Sequence, residues 1–295
     1  MSAHSIDSVL FEFSENMKEV LRVQAGEELE FITCDCFNKQ ITYPEGKYEN
    51  IDFTRVNPAT GPVYIEGAYP GNLLKIDILN ISIDSLGIGV ASPKISFLKH
   101  PTPVHRTFFI SNKNGLCRFG SIEFPVRPMI GVIGVAPDKG TIPTITPGRH
   151  GGNLDTQEIT TGNTVYLPIF QEGGMLSIGD LHASMGDGEI CGTGIEVSGR
   201  ARVRVNTVLN QFNINTPVIE TTKSFLFLYS AETLNDALEQ GALECINVLQ
   251  KSMGLTFEEI LVLMSATSDF RISQLVDPLV TIKIILPKTS FRLIS

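Results

Sequence analysis

Two short segments of the chain combine histidine with carboxylates. In Gly179–His182, Asp180 and His182 are two residues apart, so on a β-strand both side chains would lie on one face. In His150–Asp155, the sequence HGGNLD adds a second imidazole and a second carboxylate on glycine-rich backbone, which can approach a ligand closely. The two histidines and two aspartates together could bind a divalent cation in an open, catalytic site. Asp180 and His182 alone fit a simple hydrogen-bonded pair equally well.

Two further carboxylates are candidates for the same site. Glu189 follows the turn sequence GDG and, on an extended hairpin, would lie about four residues from His182 at roughly 3.3 Å per residue, too far for contact. Contact requires the stretch to curl back as a loop, which its two glycines permit. Asp35 could add a metal ligand, and the alternative is a carboxylate that only closes a turn.

Other catalytic chemistries have weaker support in the sequence. There is no Gly-x-Ser-x-Gly nucleophile motif and no Gly-x-x-x-x-Gly-Lys phosphate loop. Cys191 lies close to Glu189 and leaves open a cysteine nucleophile, with a structural thiol as the alternative. The five cysteines form no CxxC pair, and an odd count favours a reduced cytoplasmic location.

The residues that position these groups are predicted to be mainly β-strands. Short apolar runs bounded by Gly and Pro recur up to about residue 176 and favour a sandwich or barrel. Residues 138–163 lack periodicity, which predicts a long irregular loop of functional importance. In residues 199–205 arginine alternates with apolar residues, which predicts a strand with a solvated or salt-bridged face.

The last part of the chain is predicted to be α+β. Helical spacing begins after residue 230, Gly254 is a candidate C-cap, Thr256 and Glu259 form a capping box, and residues 279–286 form a final strand. We therefore divide the chain into a β-rich N-terminal part (1–125), a β-rich central part with the site motifs (126–215) and an α+β C-terminal part (216–295).

Composition excludes some classes of protein. The chain has 295 residues and a net charge of -9, which argues against nucleic-acid binding because that would need a basic face. Its apolar runs are too short to span a membrane, and no signal peptide is predicted.

Several long motifs resemble the acetamidase/formamidase family, and the likeness extends over nearly the whole chain. The matching segments are Gly61–Ala68 with Pro70–Gly71, Pro128–Pro137, Pro147–Asp155, Gly179–Glu189 and Ser265–Asp277. The chain departs from the family pattern at Arg149, at Met185, where Gln is common, and at Asn72, where Asp is usual.

The resemblance implies hydrolysis of short-chain linear amides such as formamide and acetamide to ammonia and a carboxylate. It also implies a jelly-roll-like sandwich, a small β-barrel portion, an α+β C-terminal part and a cytoplasmic homo-oligomer, a dimer or tetramer.

The predicted mechanism is metal-assisted. Asp155, Asp180 and His182, with Asp35, would hold the ion, with Zn²⁺ as the first choice. Glu189 or Asp187 would transfer the proton from water to the departing nitrogen, and His150 would bind the ion or the developing oxyanion. The alternatives are a metal-free amidase that uses Cys191, and a non-catalytic module in which Ca²⁺ only orders the 138–163 loop.

Overall fold

The protein folds mainly into β-strands, with two helices near its C-terminus. The computed structural model describes residues 3–98 and 105–293, so His100 lies outside the described residues. In chain order the strands are β1 (His4–Ile6), β2 (Val9–Leu10), β3 (Glu12–Ser14), β4 (Leu21–Gln24), β5 (Glu28–Thr33), β6 (Ala59–Glu66), β7 (Leu73–Ile83), β8 (Leu86–Ala91), β9 (Arg106–Lys113), β10 (Leu116–Phe119), β11 (Ile122–Pro125), β12 (Met129–Gly134), β13 (Thr141–Pro143), β14 (Gly151–Asn153), β15 (Thr164–Pro168), β16 (Leu176–His182), β17 (Glu196–Val197), β18 (Gly199–Val208), β19 (Val218–Glu220), β20 (Ser224–Ala231), β21 (Asp269–Gln274) and β22 (Val280–Pro287). The helices are α1 (Leu234–Met253) and α2 (Phe257–Thr267), and two short 3₁₀ turns occupy Tyr48–Asn50 and Phe53–Arg55.

Two large sheets contain most of these strands. The first has the order β1-β5-β18-β7-β15-β19-β20-β22-β21, and the second runs β11-β10-β9-β8-β17-β16-β12-β14, with β6, β2 and β4 attached through β16. Apolar side chains from both sheets, such as Phe31, Ile76, Ile133 and Leu181, form one buried cluster, so the sheets pack as a sandwich. The predicted mainly β sandwich is confirmed, and neither strand order forms a closed barrel within the described residues.

The strand β18 follows the alternation predicted from its arginines. Ala201, Val203 and Val205 are fully buried, whereas Arg202 and Arg204 both pair with Glu28 on the neighbouring strand β5. The arginine face is therefore the salt-bridged sheet surface expected from period-two alternation.

The helices begin and end where their capping residues predict. Thr233 caps α1, Gly254 closes it with φ of 68°, and Thr256 and Glu259 form both bonds of the capping box of α2. Both helices pack against β22 and α1 also against β20, which confirms the α+β C-terminal part. In the described residues neither helix has the length and apolarity needed to cross a membrane.

Residues 138–163 are more ordered than predicted. The segment contains β13 and β14, and β14 pairs with β12 at the edge of the second sheet. Gly151 and Gly152 reach this pairing at positive φ, 97° and 83°, which hid the strand from period-two analysis. The first sheet contains strands from all three predicted parts of the chain. The boundaries of these parts stay a prediction.

Candidate active site in the buried strand β16

The centre of the candidate site is β16, which lies inside the second sheet. All seven of its residues are buried, because β12 and β6 pair with it and β17 joins its C-terminal end. In the register of β16 and β17, His182 lies opposite Glu196. Polar residues of β16 are therefore surrounded by protein, and their partners must come from neighbouring strands and loops.

Three carboxylates approach the imidazole of His182. Its Nε2 atom lies 3.1 Å from Oε2 of Glu196 and 3.6 Å from Oδ1 of Asp180, and its Nδ1 atom lies 3.8 Å from Oδ1 of Asp155. Each of the four residues is at most 2% exposed. The two ring nitrogens thus face different carboxylates, with Asp155 on the Nδ1 side and Glu196 and Asp180 on the Nε2 side.

Glu189 joins this cluster because its loop curls back. One potential ligand atom each from Asp155, His182 and Glu189 lies within 4.8 Å of the other two. The backbone of Gly188 holds the curl, since its N–H donates to Ser273 (2.7 Å) and its carbonyl accepts from Leu275 (3.2 Å). The loop is therefore curled and not extended, and the backbone hydrogen bonds to the C-terminal part of the chain hold it in this shape.

Gly131 on β12 provides the room in which the carboxylates meet. A side-chain carbon at this position would lie 2.5 Å from Oδ1 of Asp155 and 2.5 Å from Oδ2 of Asp180. Any residue larger than glycine would therefore occupy the space between the two carboxylates. Asp155, Asp180 and Glu189 also have positive φ, between 38° and 53°, a strained backbone that is common at functional sites.

The polar atoms at the centre of the site fit a cation. Among the described residues, Asp155 Oδ1, Asp180 Oδ1, His182 Nδ1 and Glu196 Oε2 are buried without a hydrogen-bond partner. Buried polar atoms without partners are costly, and buried carboxylates are normally paired with a cation. An imidazole with several carboxylates is a ligand set suited to a divalent metal ion such as Zn²⁺.

The electrostatics of the cluster agree with this fit. Burial raises the pKa of Asp155 and of Glu189 well above the ordinary values, and each also feels neighbouring carboxylates. Burial likewise raises the pKa of Glu196 to about 7. Burial alone would lower the pKa of His182, but the Glu196 and Asp180 carboxylates outweigh it and raise the pKa well above its ordinary value. A bound cation would take the place of the protons that these groups otherwise hold.

A cavity of about 720 Å³ reaches the site from one side. Glu189 and Gly194 line it. A side-chain carbon added to Gly194 would lie 2.9 Å from the ring of His182, so the cavity passes close to this imidazole. Cys191 also lines the cavity, with its Sγ atom 3.1 Å from the carbonyl oxygen of Thr193. Of the four carboxylates of the cluster, Glu189 alone lines this cavity, so it is the one that a ligand would meet first.

A model of the Acetamidase/Formamidase family matches residues 7–143 and 139–293. The chain belongs to this family. It is 39% identical to a predicted acetamidase/formamidase from the thermophile Thermoanaerobacter tengcongensis, whose crystal structure superposes with a TM-score of 0.94 over 97% of this chain and 96% of that one. It is 38% identical to an acetamidase from Bacillus halodurans, whose crystal structure superposes with a TM-score of 0.93 over 96% of this chain and 97% of that one. A formamidase from Methylophilus methylotrophus is 25% identical, with 88% of this chain and 83% of that protein covered.

Family membership confirms the resemblance seen in the sequence and supports amide hydrolysis. A γ-lactamase from Delftia acidovorans superposes with a TM-score of 0.68 at 22% identity over 96% of this chain and 89% of that one. That likeness extends to the fold alone. In this chain, the family-like segments 147–155 and 179–189 meet at His182.

Two carboxylates predicted for the site have other partners in the structure. Asp187 accepts hydrogen bonds from Lys283 Nζ (2.6 Å) and Gln157 Nε2 (2.7 Å), so it anchors the loop that carries Glu189. Asp35 Oδ1 accepts from the backbone N–H groups of residues 37 (3.0 Å) and 39 (3.2 Å), which is the turn role named as its alternative. These contacts explain both carboxylates without a metal ion, and their roles in catalysis stay predictions.

His150 is buried and belongs to neither group of potential metal ligands found in the described residues. Its ring lies 5.1 Å from that of Phe13 in an edge arrangement, and burial alone lowers its pKa to about 4. The imidazole is therefore neutral, with Nε2 unpartnered among the described residues. Its role as a ligand or oxyanion donor also stays a prediction.

Sequence analysis missed four residues of the site. Glu196 and Cys36 lie with Asp180 in a second group whose potential ligand atoms are within 4.8 Å of one another. Asp277 accepts from Asn153 Nδ2 at 3.0 Å, and the amide of Asn57 lies 3.4 Å from Asp180 Oδ2. The signal for Asp277 was present, since it ends the last family-like segment, whereas Glu196 is recognisable only from the pairing of β16 with β17.

Proposed function

We propose that the protein hydrolyses the carbon–nitrogen bond of carboxylic amides with the help of a divalent cation. The observation that carries the proposal is the meeting of Asp155, His182 and Glu189 within 4.8 Å in a buried site that a cavity reaches. Buried carboxylates with raised pKa values beside an imidazole are typical of catalytic sites.

Asp155, Asp180 and His182 would hold the cation. The space that Gly131 leaves between Asp155 and Asp180 supports the two carboxylates, and the unpartnered Nδ1 atom of His182 lies on the side of Asp155. The imidazole favours Zn²⁺ over Ca²⁺, which prefers oxygen ligands. A bound divalent ion supplies polarisation of the amide carbonyl and activation of water at neutral pH.

Glu196 would orient the imidazole. Its Oε2 atom lies 3.1 Å from Nε2 of His182, whereas Asp155 lies on the Nδ1 side of the ring. A carboxylate behind a metal-binding histidine commonly fixes the tautomer in this way. Glu196 is therefore a positioning residue in this proposal.

Glu189 would carry the proton. It faces the cavity, and its raised pKa makes the carboxylate basic enough to accept a proton from the attacking water. The same proton would then pass to the amide nitrogen as the carbon–nitrogen bond breaks. The products are a carboxylate and, from a primary amide, ammonia.

Ammonia release from formamide and acetamide, with and without a chelator, tests the proposal. These amides match the names of the similar formamidase and acetamidase. We expect turnover that a chelator abolishes and that one metal ion restores. Absence of ammonia release from both amides after metal loading would overturn the proposed function.

A cytoplasmic homo-oligomer, a dimer or tetramer, is part of the same proposal, and sedimentation velocity would determine its size. No nucleic acid or membrane partner is proposed, because the net charge is -9 and no described helix could span a bilayer.

A further inference from the structure

The cavity beside Glu189 has a predominantly apolar wall. Strands β8 to β11 form one side and residues 184–195 form the other. The bulky apolar side chains that line it are Phe108, Phe119, Ile122, Phe124, Ile190 and Ile195. The charged lining residues are Arg127, Asp187 and Glu189, and Asp187 is already paired with Lys283. An apolar group would therefore contact most of this wall.

The cavity is much larger than the amides used as reference substrates. Its volume of about 720 Å³ is within the range of roughly 300–1,000 Å³ that is typical of sites for drug-sized ligands. Acetamide has only four heavy atoms and would leave most of the apolar wall in contact with water. Apolar surface left hydrated at the site contributes nothing to binding, whereas each buried methylene contributes about 0.8 kcal/mol.

The mouth of the cavity exposes apolar side chains. Phe119, Ile122 and Ile190, which all line the cavity, are 41%, 61% and 55% exposed. Contiguous exposed apolar residues usually mark a binding site. Because Glu189 lines the same cavity, a molecule that reacts at Glu189 could contact these side chains.

We propose that the preferred substrate is a primary amide with an extended apolar acyl group, which fills this cavity while the amide lies at Glu189. This inference rests on the proposed function. The apolar part of the substrate belongs to the acyl side, because only that side can be extended while ammonia remains the product. Ala91, which is exposed and lies at the cavity wall at the end of β8, would contact the acyl chain.

Rates with a series of amides test this substrate class. Each methylene from acetamide to hexanamide should raise kcat/KM about fourfold, or about 200-fold over the series. Ala91→Phe narrows the cavity and should remove most of this gain, so that kcat/KM hardly rises from acetamide to hexanamide. Ala266→Phe, at an exposed position on α2 outside the cavity lining, is the matched control and should retain the full gain. Ile122→Ala should reduce the gain by enlarging the mouth.

Three outcomes would overturn the inference. The first is a kcat/KM that is flat or falls with acyl length, and the second is an Ala91→Phe protein with an unchanged length profile. The third is dissociation of an oligomer by Ala91→Phe with no change in that profile, which would show that a second copy of the chain occupies the cavity.

Calorimetric binding of acetamide and hexanamide to the chelated protein separates this inference from the proposed function. Tighter binding of hexanamide without turnover of any amide would support the cavity assignment and overturn the proposed function. Turnover of acetamide with equal binding of both amides would support the proposed function and overturn the cavity assignment.

Discussion

Substitution of Gly131 by alanine tests the geometry of the metal site without removing any ligand. The added methyl carbon would lie 2.5 Å from Asp155 Oδ1 and from Asp180 Oδ2, about 0.9 Å short of the 3.4 Å at which ordinary contact begins. It would also lie 2.9 Å from the backbone oxygen of Asp180. Because that oxygen belongs to the paired strand β16, the conflict cannot be relieved by side-chain rotation alone.

The expected loss of metal affinity follows from the small changes in ligand distance that a metal site tolerates. Ligand distances in a well-formed site vary by only about 0.2 Å, so displacements approaching 0.9 Å separate the two carboxylates from a shared ion. We expect metal affinity to fall by about 100-fold, the upper end of losses when groups that support ligands are replaced. Overpacking should cost about 1–3 kcal/mol of folding free energy, whereas replacing glycine stabilises by about 0.4–1 kcal/mol through the unfolded chain. The metal-free variant should therefore be slightly less stable than the wild type.

Titration of zinc into the metal-free proteins, with chemical denaturation in parallel, measures both quantities. Gly186→Ala is the matched control, because no atom lies within 4 Å of its added carbon and its φ is outside the left-handed region. The control should bind zinc with the affinity of the wild type. Wild-type affinity in Gly131→Ala would refute the assignment of the ion to the space between Asp155 and Asp180.

Three further substitutions test individual roles. Glu189→Gln should lower kcat by about 10²–10⁴-fold while the zinc content stays at the wild-type level by mass spectrometry, whereas loss of zinc would make Glu189 a ligand instead of the proton acceptor. Burial lowers the pKa of His150 to about 4, below its unfolded value of about 6.5, so as pH falls the unfolded state binds the proton first. The contribution of His150 to the free energy of unfolding should therefore be complete above about pH 6.5. Between about pH 7.5 and pH 5, the free energy of unfolding of the wild type should decrease by about 2 kcal/mol relative to that of His150→Gln; equal pH profiles would contradict the buried neutral imidazole. Cys191→Ser should retain kcat/KM for acetamide, because the hydrogen bonds of Sγ within the described residues go to the carbonyl and hydroxyl of Thr193 and to no catalytic group. Inactivation would favour the cysteine mechanism.

Local sequence patterns predicted the regular elements of this fold well. The capping box at Thr256, the glycine C-cap at Gly254 and the arginine alternation on β18 depend on neighbouring residues only, and all are confirmed. The strand β14 was missed because its pairing uses glycines at positive φ, which carry no side-chain alternation. The pairing of strands distant in sequence, such as β7 with β18, is decided by packing and leaves no local signal.

The candidate site shows the same division between local and distant information. Asp180 and His182 could be proposed from their spacing on one strand, and the structure places both at the centre of the cluster. Glu189 needed a curl that depends on backbone bonds to Ser273 and Leu275, more than eighty residues away along the chain. The partners of Asp187 and the alignment of Glu196 with His182 likewise depend on tertiary contacts, which spacing cannot reveal.

The most direct test of divalent-ion-assisted amide hydrolysis is kcat for acetamide measured against the bound zinc per chain, from the fully chelated protein to saturation. The proposed function predicts no turnover without metal and a linear rise of kcat that ends at one ion per chain. Full turnover by the metal-free protein would contradict it.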